Sequence, residues 1–428
     1  MFAVKRIIAR MPFAAFVWHL LKDRILMMRW HKRIQRQVGF LRTVRERPVK
    51  VCFCVIFDSV FPLSRVFELM CDDASFDPYI LVIPDVSRGN DNMSRVMKNA
   101  LANLRAKYGD RVLSSLENGQ FICPIGMFDC FAMMNPYSDM THEYYRVPYL
   151  MSHGSIVFMT RYFTETGTIY SDTFNSLPEL SYLWRFFAEN DEDARRIREQ
   201  QPILHKLGGV YPIGLPKADN FAMVSIQKRN RKRIIIAPHH SMDPIAGKFM
   251  ISNFPRYADF FLRLPVLYPD IDWVFRPHPL TMATMVNSGR WTMVQRNEYE
   301  AKMKSYTNVE FQEGGSYYST FMNSDALIQD CSSFLPEYFY SNKPQCYLLA
   351  EPHSEEEQFL EYGRELLSCT YKAFNESDII SFIDTVVISG NDSMKDRREN
   401  FMAKRLMYNY PHASEALVDY LKEAFGRI

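Results

Sequence analysis

The sequence predicts an α/β protein of two domains, each built around a parallel β-sheet, and three observations support this. The chain has 428 residues, which is more than a single hydrophobic core usually supports. Short apolar runs alternate along it with amphipathic stretches, as strands and helices alternate in an open α/β sheet. Hydrophobic residues make up 47% and charged residues 23%, which is typical of a folded globular protein.

The predicted elements divide into two halves. Continuous apolar runs are typical of strands that are buried on both faces of a parallel sheet, and helical spacing of apolar residues marks the segments between them. In the first half we predict strands at 51–56, 79–84 and 120–123 and helices at 61–71 and 92–108. In the second half we predict strands at 233–237, 272–275, 308–311, 326–328 and 345–350 and helices at 257–267, 333–341 and 412–425.

The eight cysteines indicate free thiols. None forms a CxxC pair and no histidine cluster lies beside them in sequence, so neither a disulfide framework nor a zinc site is expected. Several lie in strand-like apolar runs, where a buried thiol acts as a small hydrophobic side chain. Cysteines that remain free thiols favour a reducing compartment, the cytoplasm.

Charge is unevenly distributed, since residues 1–50 carry +11 and the remainder carries −9. Such asymmetry suggests a polyanionic partner. The apolar run at 11–21 is about half the length needed to span a bilayer, and apolar residues recur among Arg and Lys from 20 to 40. This pattern favours a helix on an anionic membrane surface, with a basic helix packed against the acidic body as the alternative. Nucleic acid is not expected as a partner, because the excess basic charge is confined to the arm.

The sequence lacks a Walker A motif, a GxGxxG loop, an HExxH helix and a GxSxG elbow, which removes the most recognisable nucleotide-binding and hydrolase classes. Three other polar segments follow predicted strands of the second half. The carboxyl ends of parallel strands are where open α/β sheets bind ligands. The segments contain His239 and His240, then Arg276 and His278, and finally Asp330, Ser332, Ser333 and Glu337.

The third segment suggests a phosphate site. Ser332 and Ser333 stand where a strand turns into a helix, and the free N–H groups and dipole of a helix start attract anions. Glu337, one turn later, could bind a ribose hydroxyl or complement the helix dipole. The alternative is that Asp330 and the serines are simple helix caps.

The second segment places Arg276 and His278 on either side of Pro277 in a short loop. A histidine there could donate to a diphosphate oxygen as charge develops on a leaving nucleotide. The alternative is a turn histidine without a ligand.

These segments resemble the C-terminal domain of the CDP-glycerol glycerophosphotransferases, which make and prime teichoic-acid-type polymers. That family carries an Arg/Lys-x-His-Pro element and a later Asp-x-Ser-Ser element that opens a helix. The corresponding residues are Arg276, Pro277, His278 and Pro279, then Asp330, Cys331, Ser332 and Ser333. The segment from Gly214 to Asp219, with Lys217, is similar to the family's Gly-x-Pro-Arg/Lys-x-Asp junction.

The resemblance implies a GT-B architecture, in which two Rossmann-like domains face a central cleft. We expect a basic arm at 1–46, an acceptor domain at 47–227, a nucleotide-donor domain at 228–405 and a final helix at 406–428 that crosses back to the first domain. The implied substrate-binding residues are Gly214, Lys217, His239, Arg276, Asp330, Ser332, Ser333 and Glu337. His278 is implied as catalytic, and no metal or cofactor is expected.

The first domain departs from the family pattern. Many members carry Trp-His-Gly, whose histidine is proposed to deprotonate the acceptor, whereas this chain has Ser152, His153 and Gly154. His153 is the predicted base, with His142 and His239 as competitors.

The function implied by the resemblance is transfer of glycerol phosphate, or a related polyol phosphate, from a CDP-activated donor to a hydroxyl of a lipid-linked polymer, with release of CMP. We expect such an enzyme to be cytoplasmic and peripheral on the inner face of the membrane. One alternative keeps the fold and uses a nucleotide sugar for capsule or lipopolysaccharide synthesis. A second is a non-catalytic polyanion-binding scaffold, which would leave the His-Pro and Ser-Ser elements unexplained.

Overall fold

The computed structural model describes residues 12–58, 61–135, 137–168, 174–243 and 251–427. The described chain divides into two compact units. The first contains the described residues up to Arg161, those from Asn175 to Ile213 and those from Ser414 onward. The second contains the described residues between Tyr162 and Phe174 and those from Gly214 to Ala413. Residues 1–11, the first part of the predicted basic arm, lie outside the described residues.

The first unit is built on a seven-stranded parallel sheet with the order β3-β2-β1-β6-β7-β8-β9. A small antiparallel hairpin, β4-β5, lies outside it. The strands are β1 (Val49–Val55), β2 (Phe76–Val82), β3 (Val112–Ser114), β4 (Leu116–Glu117), β5 (Gln120–Phe121), β6 (Cys130–Met133), β7 (Ile156–Thr160), β8 (Arg185–Ala188) and β9 (Val210–Pro212). Helix α1 (Pro12–Thr43) precedes the strands, and the helices between them are α2 (Ser64–Cys71), α3 (Asn90–Tyr108), α4 (Val147–Ser152), α5 (Asp191–Gln200) and α6 (Pro202–Lys206).

Helix α1 has an apolar face and a basic face. Ile34, Val38 and Leu41 are spaced for one face of a helix and belong to the hydrophobic core of the first unit. Lys32 and Arg36 are exposed. The helix therefore packs on its own domain and still presents cations to solvent. Within the described residues, no helix is both long and apolar enough to cross a bilayer.

The second unit is built on a six-stranded parallel sheet with the order β12-β11-β10-β13-β14-β15. The strands are β10 (Arg233–Ala237), β11 (Asp272–Phe275), β12 (Val309–Phe311), β13 (Ala326–Gln329), β14 (Gln345–Leu348) and β15 (Tyr371–Ala373). The helices are α7 (Pro216–Ala222), α8 (Phe254–Leu267), α9 (Thr281–Asn287), α10 (Met293–Ser305), α11 (Tyr318–Met322), α12 (Phe334–Phe339), α13 (Glu355–Gln358), α14 (Glu361–Leu367), α15 (Glu376–Ser381) and α16 (Lys395–Phe401).

The predicted fold class is confirmed, because each unit contains a parallel sheet of Rossmann type. The strands β10 and β11 coincide with their predicted bounds. All eight cysteines are free, and six of them are buried. The strands β3 and β6 to β9 of the first sheet were not predicted.

The chain ends in helix α17 (Ala413–Ala424), whose apolar face belongs to the core of the first unit. Leu417 and Leu421 are fully buried there. Phe425, just beyond the helix, stacks on Trp184 with ring centroids 5.5 Å apart. Arg185 Nε donates to the hydroxyl of Tyr420 at 2.7 Å. The last segment is thus a structural part of the first unit.

We predict that Leu417→Ala lowers the stability of the first unit by about 2–5 kcal/mol, because it removes a fully buried side chain and leaves a cavity. Leu267→Ala is the matched control, since Leu267 ends helix α8 with 53% of its surface exposed. Urea unfolding followed by circular dichroism should show an earlier transition for the first variant only. Equal midpoints for the two variants would show that α17 does not contribute to this core.

Candidate functional site

The candidate site lies at the carboxyl edge of the second sheet. From β10 the chain moves outward through β11 and β12, and from β13 it moves in the opposite direction through β14 and β15. Neighbouring strands β10 and β13 therefore form a topological switch point, where open α/β sheets bind ligands. His239 follows β10 and Asp330 follows β13, so both lie at this point.

Three histidines meet there. His239 and His240 follow β10, and His278 lies in the loop after β11. One ring nitrogen from each lies within 4.8 Å of the others. The rings of His240 and His278 are stacked with centroids 4.0 Å apart, and the His239 centroid lies 5.3 Å from that of His278. The sequence predicted two of these residues as functional and did not predict a role for His240.

Backbone hydrogen bonds determine the tautomers of two of these rings. The N–H of Ser241 donates to Nδ1 of His239 at 3.2 Å, and the N–H of Leu280 donates to Nδ1 of His278 at 3.1 Å. Because a backbone N–H can only donate, each Nδ1 must accept, and the neutral ring carries its hydrogen on Nε2. His239 and His278 therefore offer N–H donors. Donors of this kind suit the oxygens of an anion, whereas a metal ion requires a lone pair.

His239 is held in its neutral form. Burial lowers the pKa of this ring well below its ordinary value, and the adjacent His240 and His278 lower it further. The ring is therefore a neutral hydrogen-bond donor at physiological pH. It can bind an anion through a directed N–H group without adding a buried positive charge.

Asp330 holds the loop that carries His239. One carboxylate oxygen accepts from the backbone N–H of His239 and the other from that of Asn253, both at 2.6 Å. The residue has no exposed surface, and burial raises its pKa to about 7. Both oxygens of Asp330 thus bind backbone groups. Its place in the structure is that of a positioning residue between two loops at the switch point.

The loops after β10 and β11 are also tied to each other. The carbonyl of Pro238 accepts from the N–H of His278 at 3.0 Å and from the hydroxyl of Thr281 at 3.3 Å. Thr281 opens helix α9. This shared acceptor fixes the spacing between the histidines of the two loops.

The side chain of Arg276 is buried and binds other parts of the protein. Its guanidinium donates to the side chain of Gln312 at 2.7 Å and to the carbonyl of Gly314 at 3.0 Å. It also donates to the carbonyl of Gly315 and lies over the ring of Tyr317. These bonds order the loop after β12, while burial lowers the pKa of the guanidinium.

Lys217 and Glu337 form a buried ion pair, with Nζ and Oε1 2.7 Å apart. The second oxygen of Glu337 accepts from the hydroxyl of Tyr317. Both predicted substrate contacts therefore have protein partners in this structure. Gly214 has a packing role, since its φ is +99° and a Cβ there would lie 2.6 Å from the carbonyl oxygen of Tyr408.

Ser332 and Ser333 precede helix α12. The first N–H groups of the helix, on Phe334 and Leu335, bond back to the carbonyl of Cys331. Ser333 makes no side-chain cap, and within the described part of the chain neither serine hydroxyl donates or accepts a hydrogen bond. The serines are therefore not caps here, and their hydroxyls remain available to a ligand.

A segment that the sequence analysis did not identify lies against these serines. Residues 162–168 follow β7 in sequence and belong to the second unit. The hydroxyl of Thr166 donates to the carbonyl of Ser332 at 3.2 Å, and the carbonyl of Thr166 accepts from the N–H of Leu360 at 2.9 Å. Glu165, next to Thr166, is buried. The segment could have been identified as polar residues that follow a mostly apolar run, although two aromatic residues stand between them.

His153 lies in the first unit, at the end of helix α4. Its Nδ1 is 2.9 Å from the carbonyl of Tyr149, so this nitrogen donates and Nε2 carries a lone pair, as a general base requires. The side chain lines a cavity of about 240 Å³ together with Asp129 and Gly154. However, His153 precedes strand β7, which places it at the amino edge of the first sheet.

His142, the competing histidine, follows β6 at the carboxyl edge of the first sheet. Its Nδ1 accepts from the N–H of Tyr144 at 3.4 Å, and its ring lies 4.3 Å from that of Phe121. Burial lowers its pKa. The neutral ring carries its hydrogen on Nε2, which is the form of a donor.

Comparison with known proteins identifies the fold. No protein-family model matches the chain, and no curated protein matches it in sequence. Among solved structures, the wall teichoic acid polymerase TagF is similar over 95% of this chain and 98% of its own, with 12% identity and a TM-score of 0.57. A UDP-GlcNAc 2-epimerase from Neisseria meningitidis bound to UDP-GlcNAc is similar over 88% of this chain and 100% of its own, with 12% identity and a TM-score of 0.55. The Staphylococcus aureus MnaA–UDP co-structure is similar over 89% and 98%, with 13% identity and a TM-score of 0.55. The chain therefore has the GT-B type of fold that these enzymes share.

Proposed function

We propose that this protein is a transferase that moves glycerol phosphate, or a related polyol phosphate, from a CDP-activated donor to a hydroxyl of a lipid-linked polymer. The observation that carries the proposal is the pair of Nε2–H donors on His239 and His278 at the switch point of the second sheet. The hydroxyls of Ser332 and Ser333 supply further donors. A cluster of neutral donors at this position suits the oxygens of a nucleotide diphosphate.

In the proposed reaction, the acceptor oxygen attacks the phosphorus that carries the glycerol. The bond from this phosphorus to the bridging oxygen breaks, the electron pair leaves with CMP, and the hydroxyl proton passes to a base. The histidine donors stabilise the charge that grows on the leaving phosphate. Catalysis of this kind depends on positioning and on preorganised donors.

A nucleotide-sugar transferase is the second candidate. It is favoured by the fold neighbours whose structures contain UDP or UDP-GlcNAc. The same donors would bind the diphosphate of either substrate, so the nucleotide base and the transferred group have to be determined by experiment.

The proposed acceptor base is Glu165. It lies in the segment that follows β7 and that bonds Ser332 through Thr166. His153 has the tautomer of a base, but its position at the amino edge of the first sheet argues against contact with a substrate.

We also propose that the enzyme is peripheral on the inner face of the membrane, to which the exposed cations of α1 attach it.

The first prediction concerns the substrate. Calorimetry should show that CMP and CDP-glycerol bind more tightly than UMP and GMP. Incubation with CDP-glycerol and native membranes should release CMP and label a polymer, whereas CDP-ribitol and UDP-sugars should react less. Preferential binding of UMP together with transfer from a UDP-sugar would replace this proposal with the second candidate.

A second prediction concerns His278. His278→Ala should lower turnover by about 100- to 1000-fold, because a preorganised donor to the leaving phosphate is lost, and it should weaken CMP binding. His278→Gln should retain more activity than the alanine variant, since the Gln amide can place an N–H group near the position of Nε2.

The matched control for His278 is His205→Ala, which changes an exposed histidine on α6. It should leave both turnover and CMP affinity unchanged. Equal losses in His278→Ala and His278→Gln, with both proteins folded by circular dichroism, would contradict the donor role.

A third prediction separates the two possible bases. Glu165→Gln should lower turnover by about 100-fold or more, the usual contribution of a general base, while CMP affinity stays near that of the parent protein. His153→Ala should retain most of the turnover. The opposite result would return the role of base to His153, and a loss of folding in Glu165→Gln would be recognised by circular dichroism. In that event Glu165→Asp, which keeps the carboxylate, provides the second test.

A further inference from the structure

The amino edge of the second sheet carries a basic cavity that is separate from the histidine cluster. It has a volume of about 290 Å³ and lies among the residues that precede β10, β13 and β14. Arg229, Arg231, Lys232 and Lys343 line it, and Asp325 is the carboxylate among the lining residues. The cavity therefore has an excess of positive charge, and it faces away from the strand ends at which the proposed donor binds.

The cations of the cavity differ in how far they are neutralised. Lys232 pairs with Asp325 at 3.2 Å, and Arg231 pairs with Asp272 at 3.0 Å. Arg229 is exposed and forms no ion pair or hydrogen bond within the described ranges. Lys343 is half-buried, its Nζ donates to the carbonyl of Met322 at 2.6 Å, and burial lowers its pKa. Two of the four cations thus lack a carboxylate partner.

The loop that supplies the cations is fixed in place. The side chain of Asn323, which is buried, accepts from the N–H of Gln227 at 2.6 Å and donates to the carbonyl of Ser225 at 3.2 Å. These bonds hold the loop against the end of helix α11. The cavity is therefore formed by the fold and does not depend on a chance approach of long side chains.

Two exposed apolar side chains precede these cations in the chain. Met223 is 63% exposed and Ile226 is 64% exposed, and Ile226 also lines the cavity. Lys228 and Arg229 follow directly in sequence and are exposed as well. Apolar side chains next to Lys and Arg are the arrangement by which proteins bind the interface of an anionic bilayer. A soluble phosphate would use the cations and leave the apolar side chains without a partner.

We propose that this surface, formed by Met223, Ile226, Lys228, Arg229 and Lys343, binds an anionic lipid membrane, with a lipid phosphate in the cavity. The two apolar side chains enter the interfacial region and the cations contact headgroup phosphates. This is a membrane contact of the second unit, separate from α1 and from the transfer site.

Vesicle co-sedimentation of the full chain tests the proposal. The parent protein should bind vesicles of phosphatidylglycerol and phosphatidylcholine more tightly than vesicles of phosphatidylcholine alone. Lys228→Gln with Arg229→Gln should weaken binding to the anionic vesicles by about 25-fold at low salt, since each cation near the surface contributes about 5-fold. Met223→Ser with Ile226→Ser should also weaken binding, and the loss should persist at high salt.

Two control variants distinguish this surface from general charge effects. Lys395→Gln with Arg397→Gln removes two exposed cations from α16 and should leave vesicle binding unchanged. Lys32→Gln with Arg36→Gln reports separately on α1. The surface variants should retain the CMP affinity of the parent protein, so failure here is distinguishable from failure of the proposed transferase function.

Three results would overturn the proposal. One is unchanged vesicle binding in both surface variants. Another is an equal loss in the α16 control, which would show that only total charge matters. The third is calorimetric binding of inorganic phosphate that Arg229→Gln abolishes while vesicle binding is unaffected, which would make the cavity a site for a soluble anion.

Discussion

The candidate site depends on one buried carboxylate. Asp330 lies at the point where the second sheet reverses its strand order, and it accepts backbone N–H groups from two different loops. Burial of a charge is unfavourable, and directed N–H donors offset that cost. The opposing effects leave the pKa of this carboxyl raised to about 7. Without the carboxylate, two buried N–H groups would lose their acceptor and the loop that carries His239 would lose its position.

A second constraint follows from the backbone around each histidine. In both loops the residue two positions later donates its N–H to Nδ1, so the same local turn produces the same tautomer in His239 and His278. His153 shows the opposite arrangement, because its Nδ1 faces a backbone carbonyl. The sequence analysis marked all three histidines as candidates, yet in His239 and His278 Nε2 is a donor, whereas in His153 Nε2 is an acceptor. The difference comes from local backbone geometry, and it gives the first two the donor form that the proposed anion site requires.

The sequence predicted the second unit better than the first, for identifiable physical reasons. Strand β10 is a run of isoleucines that ends at a proline, and β11 ends before another, so their bounds were clear. Strands β6 and β8 are four residues long, like β11, but no proline follows either of them within two residues, and a short apolar run without such a boundary cannot be assigned by periodicity. The positions of His278 and Ser332 follow from chain order alone. The partners of Arg276, Lys217 and Glu337 do not, because sequence does not show that a charged side chain is turned inward to another part of the chain.

The two edges of the second sheet carry two different sets of groups for the phosphates that we propose bind there. At the carboxyl edge the donors are neutral, partly buried N–H groups that are fixed by backbone bonds, so binding depends on direction and on exclusion of water. At the amino edge they are Lys and Arg side chains beside exposed apolar residues, so attraction is long-ranged, weakly directional and screened by salt. The first arrangement suits a group whose charge changes during a reaction. The second suits attachment to a charged surface that takes no part in a reaction. One parallel sheet can carry both sets of groups, because the residues at its two edges are chemically independent.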